Sequence, residues 1–198
     1  MPSEPVTADR GKILLPIARS AISSALGRVF RAEEDAPWLR EKGACFVTLT
    51  QNQELRGCIG TLQAHRPLLA DVKANAQAAA LRDPRFTPLA AEELEITSIE
   101  ISLLSAMQAL DFTSEQEAMA QLQPGVHGVV FEYGHYRSTF LPQVWEQLPN
   151  VHKFMANLKY KAGLPSDFWA EGVRLSFYTV TKWKESDIIE PVGSSRAG

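Results

Sequence analysis

Several residue types and motifs are scarce in this chain, and each absence removes support for a class of protein. The 198 residues include only two cysteines, Cys45 and Cys58, and neither lies in a CxxC pair. The four histidines show no HxH or HxxxH spacing, so a dedicated metal site has no local support. No GxGxxG, Walker A or GxSxG motif occurs, which leaves dinucleotide binding, nucleoside triphosphate binding and serine hydrolysis unsupported.

The chain also lacks a basic stripe and a long apolar run. Its formal net charge is -3, and acidic and basic residues are interspersed, which argues against a nucleic-acid partner. No apolar run reaches the length of a membrane span or of the core of a signal peptide. We therefore predict a cytoplasmic protein with two free thiols and no membrane partner.

The sequence contains an interleaved series of helical and strand patterns. Helical spacing occurs at 13–26, 66–86 and 150–165, and strand patterns occur in two hairpins at 43–62 and 125–143 and in single strands at 94–104 and 173–183. Because the hairpins interrupt any regular βαβ alternation, the pattern predicts an α+β fold with a mixed, largely antiparallel sheet and flanking helices. We expect a single domain at 11–188, with a flexible leader at 1–10 and a flexible tail at 189–198.

The stretch QELRGCIGTL, residues 53–62, places a cysteine inside a strand pattern. If side chains alternate strictly, Arg56 and Cys58 share one face while Leu55 and Ile59 share the other. A guanidinium group beside a thiol favours the thiolate, which is the nucleophilic and metal-binding form. The spacing thus points to a reactive cysteine, which could act as nucleophile, as acid or base, or as a transient metal ligand.

Two glycines, Gly57 and Gly60, interrupt the same strand. They open the backbone to close approach by a ligand or to a β-bulge. A structural alternative stays open, because free cysteines are often buried and glycine in a strand often marks only a bend. Cys45, which lies between Ala44 and Phe46 in an apolar run, is interpreted as core filling.

Two further titratable residues are candidates for proton transfer. His127 would serve as a base or a thiol partner if the two hairpins lie side by side, although a structural histidine at a strand start is the common case. Glu100 would lie in the same cleft, or on a half-exposed sheet face without a function. Asp83 and Arg85, in the stretch DPRF, are expected to tie a turn together.

The chain resembles a known family at these residues. The stretch ELRGCIGTL is similar to the signature of the AMMECR proteins, and the match continues through DPRFTPL, ELEITSIEISLL, GVHGVVFEYG, TFLPQV and KAGLPSDFW, from about Leu14 to Trp183. The resemblance implies an α+β fold with a larger and a smaller lobe and a cleft near LRGCIG. One departure is WEQLPNVHKFM, after Val144, which lacks the tryptophan-rich sequence of many members and leaves the start of the next helix open.

The bacterial and archaeal members look like protein A of the AmmeMemoRadiSam system. The resemblance implies a Memo-type protein and a radical SAM protein as partners, and it names no cofactor. We interpret the chain as an enzyme or enzyme component with a small-molecule cleft at LRGCIG; the alternative is a non-catalytic binding or adaptor protein. The candidate catalytic residues are Cys58, Arg56, His127 and Glu100, and the candidate ligand-binding residues are Leu55, Gly57, Ile59 and Gly60.

Overall fold

The computed structural model describes residues 7–188 and contains helices and strands in alternation. The α-helices are α1 (Thr7–Ala25), α2 (Leu68–Leu81), α3 (Glu115–Ala120), α4 (Val151–Lys161) and α5 (Glu185–Ile188). The strands are β1 (Lys42–Gln51), β2 (Glu54–Gly60), β3 (Arg66–Pro67), β4 (Ser98–Leu104), β5 (Gln108–Ala109), β6 (Gly128–Tyr133), β7 (Tyr136–Phe140), β8 (Arg174–Tyr178) and β9 (Val180–Lys184). Short 3-10 helices lie at Pro37–Arg40, Ala91–Ile96 and Pro142–Glu146. No helix within the described range is long and apolar enough to cross a membrane.

The chain divides into two compact units, each with its own sheet. The larger unit contains residues 7–103 and 181–188 of the described chain, and the smaller contains residues 104–180. The first sheet has the strand order β2-β1-β4-β9 with β3 also paired to β1, and the second has the order β5-β8-β6-β7. The β1–β2, β1–β3, β6–β7 and β6–β8 pairs are antiparallel, so the predicted α+β fold is confirmed.

In the larger unit, helix α2 packs on β1 and β2, and α1 packs against α2. Cys45, Val47 and Leu49 alternate along β1 and are fully buried in this core, together with Ile99 and Ile101 of β4. The residues between them lie on the opposite side of the sheet. We call that side the outer face; it carries Phe46, Thr48 and Thr50 of β1 and Glu100 of β4.

The first predicted hairpin, at 43–62, is confirmed. Asn52 and Gln53 connect β1 to β2 with φ angles of 50° and 68°, the left-handed conformation of a tight hairpin turn. The register then shifts between Leu49 and Thr50, because Leu49 lies opposite Gly57 while Thr50 lies opposite Leu55. A β-bulge therefore interrupts β2 within the LRGCIG segment.

In the smaller unit, the second hairpin and the following helix also form as predicted. Gly134 turns the chain between β6 and β7 with a φ of 58°. Asn150 caps α4, because its side-chain oxygen accepts hydrogen bonds from the backbone N–H groups of His152 and Lys153 at 3.0 and 3.1 Å. Helix α4 buries Phe154 against Trp145, with the two rings stacked 3.7 Å apart. The sequence departure after Val144 has thus not displaced the helix start.

Two strand predictions need correction. The segment 173–183 is not one strand but two, β8 and β9, which belong to different sheets. The ladder breaks at Thr179, whose backbone N–H donates to Ser105 Oγ at 2.9 Å and whose carbonyl accepts from the Ser105 N–H at 2.9 Å. The strand predicted at 94–104 is also shorter in the structure, because a 3-10 helix occupies Ala91–Ile96 and β4 begins at Ser98.

The predicted ends of the domain are only partly within the described residues. Helix α1 begins at Thr7, inside the segment 1–10 that was interpreted as a leader. Residues 1–6 and the predicted tail, 189–198, lie outside the described range.

Candidate functional site

The bulge changes the predicted arrangement of the LRGCIG side chains. Leu55 lies opposite Thr50, which places it on the outer face, and 43% of its surface is exposed. Ile59 lies opposite the buried Val47 and packs against the core. The prediction that Leu55 and Ile59 share a face was therefore wrong, because strict alternation ends at the extra residue, Arg56.

Arg56 is directed at a carboxylate rather than at the thiol. Its Nε and Nη2 atoms donate to the two oxygens of Glu93 at 3.0 and 3.1 Å, and its Nη1 donates to the Thr87 carbonyl at 2.9 Å. These bonds, chiefly the one from Arg56, lower the pKa of Glu93 from its ordinary value of 4.5 to about 2. The predicted Arg56–thiol contact is thus replaced by a bidentate ion pair that joins β2 to the Ala91–Ile96 helix.

The two glycines are explained by packing within the protein. A Cβ atom on Gly57 would lie 2.2 Å from the backbone oxygen of Ala79, so helix α2 approaches the strand too closely for any side chain. A Cβ atom on Gly60 would lie 2.2 Å from the Phe46 ring, which occupies the space across the strand pair. The space beside each glycine is therefore occupied by other parts of the protein, by Ala79 at Gly57 and by Phe46 at Gly60.

Cys58 is the signature residue with a reactive group at the outer face. It lies opposite Thr48, and its side chain is partly exposed. Thr48 Oγ1 donates a hydrogen bond to Cys58 Sγ at 3.3 Å. Strand β2 is at the edge of the sheet, and the backbone N–H and carbonyl of Cys58 point away from β1. Cys58 and Thr48 are therefore a pair without backbone hydrogen bonds between them, and the side chains of such pairs lie close together.

The DPRF turn binds those backbone groups from the free edge of the sheet. The Cys58 N–H donates to Asp83 Oδ2 at 2.8 Å, and Arg85 Nη2 donates to the Cys58 carbonyl at 3.2 Å. Asp83 in turn accepts from Nε and Nη2 of Arg85 at 3.0 and 2.7 Å. These bonds, led by those from Arg85, hold the pKa of the buried Asp83 well below its usual range.

Glu100 lies on the same outer face as Cys58, with β1 between their strands. Strand spacing places β2 and β4, which carry the two residues, about 10 Å apart across the sheet. The Glu100 carboxylate pairs with Lys184 at 3.3 Å and Lys182 at 3.8 Å, both on β9. Glu100 therefore forms ion pairs with two lysines, which is the arrangement expected of an acidic residue on a half-exposed sheet face.

His127 belongs to the other hairpin, and the two hairpins lie in different sheets. The sequence predicted His127 as a partner of the thiol on the condition that the two hairpins lie side by side, and they are not neighbours within one sheet. His127 Nδ1 accepts a hydrogen bond from the Gln123 N–H at 3.2 Å, and the ring stacks on Phe177 at 4.2 Å. Burial lowers the pKa of His127, which favours the neutral ring with its proton on Nε2.

Cys45 is core filling, as predicted. Its side chain is fully buried, both cysteines are free, and burial raises the pKa of the Cys45 thiol. Beside it lies a polar network that the sequence analysis missed: the buried Asp71 carboxylate accepts from the Cys45 N–H, Thr61, Arg66 and Asn75 at 2.8 to 3.0 Å. These bonds hold helix α2 against the strands.

The structure therefore brings Cys58, Thr48 and Glu100 to one face and adds Asp83 and Arg85 at its edge. The signal for the last two was the DPRF stretch, but 25 residues separate Cys58 from Asp83 and hid the contact. Among the described residues, no group of three or more His, Cys, Asp and Glu side chains could hold a metal ion.

Comparison with known proteins identifies the family. The AMMECR1 family model matches residues 15–183, which include the smaller unit, most of the larger one and all of the signature. The chain belongs to the AMMECR1 family. Protein MJ0810 of Methanocaldococcus jannaschii is 34% identical over 197 residues, covering 95% of this chain and 94% of that protein. A relative in Methanothermobacter thermautotrophicus is 36% identical over 167 residues, covering 82% of this chain and 87% of its own.

A solved structure has the same fold. The crystal structure of uncharacterized protein PH0010 from Pyrococcus horikoshii superposes with a TM-score of 0.72 at 32% identity, over 88% of this chain and 91% of that one. The α+β architecture of this AMMECR1 chain thus agrees with that of a relative.

Proposed function

We propose that this protein is an enzyme or enzyme component that uses the thiol of Cys58 at a small-molecule site on the outer face. The observation that carries the proposal is the state of that residue: it is partly exposed, its sulfur accepts a hydrogen bond from Thr48, and its backbone N–H and carbonyl are both hydrogen-bonded to the DPRF turn. A fixed, accessible thiol is suited to nucleophilic chemistry. Cys45 offers the contrast of a fully buried thiol.

Glu100 is the proton-transfer candidate that this proposal retains at the same face. Its two lysine partners orient it, although they also compete with any substrate for its oxygens. His127 remains a prediction from the sequence. Ligand contacts would come from Leu55 and from Cys58 itself, since Ala79 fills the space beside Gly57 and Phe46 fills the space beside Gly60.

The family resemblance extends the proposal to partners and compartment. We propose that the protein acts in the cytoplasm with a Memo-type protein and a radical SAM protein. A reducing compartment would keep Cys58 in the free form that a nucleophile requires. Leu55 and Ile96 are exposed apolar residues within the larger unit, and apolar side chains of this kind commonly contribute to contacts with partners.

A non-catalytic adaptor is the second candidate, and a specific observation favours it. Most of the LRGCIG segment is engaged inside the protein: Arg56 binds Glu93, and the two glycines accommodate Ala79 and Phe46. A signature whose residues serve the fold is what a rigid binding surface requires. If the protein is such an adaptor, Cys58 contributes only a small side chain opposite Thr48 and no chemistry.

The two candidates differ in what Cys58→Ser does in cells. A strain lacking the gene is complemented with wild-type protein, Cys58→Ser or Cys45→Ala, and small molecules are profiled by mass spectrometry. Co-purification of the Memo-type and radical SAM proteins is measured in parallel. We expect Cys58→Ser to lose the restored metabolite profile while it still co-purifies with the partners.

Cys45→Ala is the matched control, because it removes a thiol from the same hairpin without touching the outer face. A normal profile with Cys58→Ser would exclude thiol chemistry and establish the adaptor. Loss of both the profile and the partners in Cys58→Ser would also favour the adaptor, since the side chain would then serve contact.

A further inference from the structure

The charged groups around Cys58 differ from those that its sequence suggests. A strand with Arg56 two positions before Cys58 suggests that Arg56 is the cation near the thiol. In the structure, all three nitrogens of that guanidinium are directed to Glu93 and to the Thr87 carbonyl. The cation whose hydrogen bond reaches Cys58 is Arg85, 27 residues further along the chain.

Arg85 is bound by Asp83 and by the Cys58 carbonyl, and about half of its side chain is exposed. Its Nε and Nη2 atoms bind Asp83, and Nη2 also reaches the Cys58 carbonyl, whereas 53% of the side chain is exposed. The pKa of Arg85 is raised, first by its hydrogen bond to Asp83. The ring of Phe86 lies 5.5 Å from Arg85 and 6.0 Å from Arg56, under both guanidinium groups.

The other groups that face Cys58 are few. Strand β1 presents the uncharged Thr48 and Thr50 on that side. The charged side chains that form ion pairs near Cys58 are Asp83 and Arg85 from the DPRF turn, Arg56 with Glu93 at the bulge, and Glu100 with Lys182 and Lys184 beyond β1. Glu54 on β2, Lys42 on β1, and Glu92 and Glu95 on the 3-10 helix are further charged residues of these elements.

We propose that Arg85, oriented by Asp83, is the positioning residue that stabilises the Cys58 thiolate, and that Arg56 has no part in this. The inference rests on the proposed function, because an enzyme that uses Cys58 as a nucleophile needs its thiolate. Asp83 has two opposed effects: it fixes the Cys58 backbone and the guanidinium, and its own negative charge opposes the thiolate. Removing the charge of Arg85 and removing that of Asp83 should therefore change thiol reactivity in opposite directions.

The test is the rate at which iodoacetamide alkylates Cys58 in the purified full-length protein, followed by mass spectrometry between pH 6 and 9. We expect Arg85→Ala to slow alkylation at pH 7 by about threefold, the size that a partly exposed ion pair allows. Arg85→Lys should restore most of the rate, and the difference should shrink in about 1 M salt, where the screening length is about 3 Å.

Asp83→Asn keeps an oxygen to accept the Cys58 N–H but removes the charge, so its rate should equal or exceed that of the wild type. Arg56→Ala is the matched control and should leave the rate unchanged. Thermal unfolding of each variant verifies that it is folded at the temperature of the assay. The proposal is overturned by an unchanged rate in Arg85→Ala, by an equal decrease in Arg56→Ala, or by slowing in Asp83→Asn as large as in Arg85→Ala.

The last of these outcomes would mean that the pair only holds the strand. Because alkylation is measured on the isolated protein, its result is independent of the complementation experiment. Normal cellular function of Cys58→Ser would remove the proposed function and leave the Arg85 result intact.

Discussion

At the scale of single residues, the LRGCIG signature separates into residues that build the fold and one, Cys58, with a free and partly exposed thiol. Gly57 lets helix α2 approach, Gly60 accommodates Phe46, and Arg56 ties the bulge to Glu93. Cys58 has no comparable packing task, and its sulfur lies at the partly exposed outer face. A motif dense in functional residue types can thus owe most of its members to packing.

Substitution of the two glycines tests this division. Gly57→Ala should lower the free energy of unfolding by about 2 kcal/mol or more, because its Cβ would meet a backbone oxygen that cannot rotate away. Gly60→Ala should cost about 1–3 kcal/mol, and Phe46→Ala should recover part of that loss in the double variant, because the obstacle there is a side chain. Urea denaturation provides the measurement. Wild-type stability in Gly57→Ala would return that glycine to a ligand-binding role.

The Arg56–Glu93 pair predicts a pH-dependent contribution to stability. The pKa of Glu93 falls from 4.5 to about 2 on folding, so the pair stabilises fully above pH 4.5 and its contribution is lost as the pH falls from 4.5 toward 2. Glu93→Gln should therefore cost about 1 kcal/mol at pH 7, and the difference from wild type should vanish near pH 2.

Glu95→Gln is the control for this prediction, because Glu95 is 83% exposed and its pair with Arg28 is long, at 3.6 Å. It should change the free energy of unfolding by less than about 0.5 kcal/mol. An equal loss in both variants, or a Glu93→Gln difference that is constant from pH 7 to pH 2, would contradict the ion-pair account.

At the scale of elements, the sequence predicted the helices and hairpins well because each depends on local signals. Asn150 marks the start of α4, and polar residues mark the turn at Asn52 and Gln53. A bulge was one of the two alternatives for this strand, but its position at Arg56 and the break at Thr179 escaped prediction, since each involves a distant partner: Glu93 for the first and Ser105 for the second. No local pattern reports such a contact.

The first hairpin turn offers a test of local strain. Gln53 has a φ of 68°, a conformation that glycine adopts at lower cost, so Gln53→Gly should raise the free energy of unfolding by about 0.5 kcal/mol. Gly134→Ala, in the turn of the other hairpin with a φ of 58°, should lower it by about 1 kcal/mol for the same reason. Thermal unfolding would measure both. A destabilised Gln53→Gly would show that the Gln53 side chain, not its backbone, determines the turn.

At the scale of the whole molecule, the sequence predicted the α+β class but not the assignment of strands to sheets. The segment 173–183 reads as a continuous strand, yet β8 and β9 join different sheets in different units. The candidate site shows the same limit: Cys58 and Glu100 could be named from the sequence, whereas Thr48, Asp83 and Arg85 required the pairing of β2 and its free edge. Tertiary contacts, rather than residue types, select the partners of a reactive group.

The most direct test of the account is the reactivity of Cys58 in the folded protein at pH 7. Iodoacetamide should modify Cys58 faster than it modifies the same cysteine in a synthetic peptide of residues 53–62, by about threefold. It should leave the buried Cys45 unmodified until the protein unfolds. Slower modification of Cys58 in the folded protein than in the peptide would contradict the proposal that Arg85 stabilises its thiolate at the outer face.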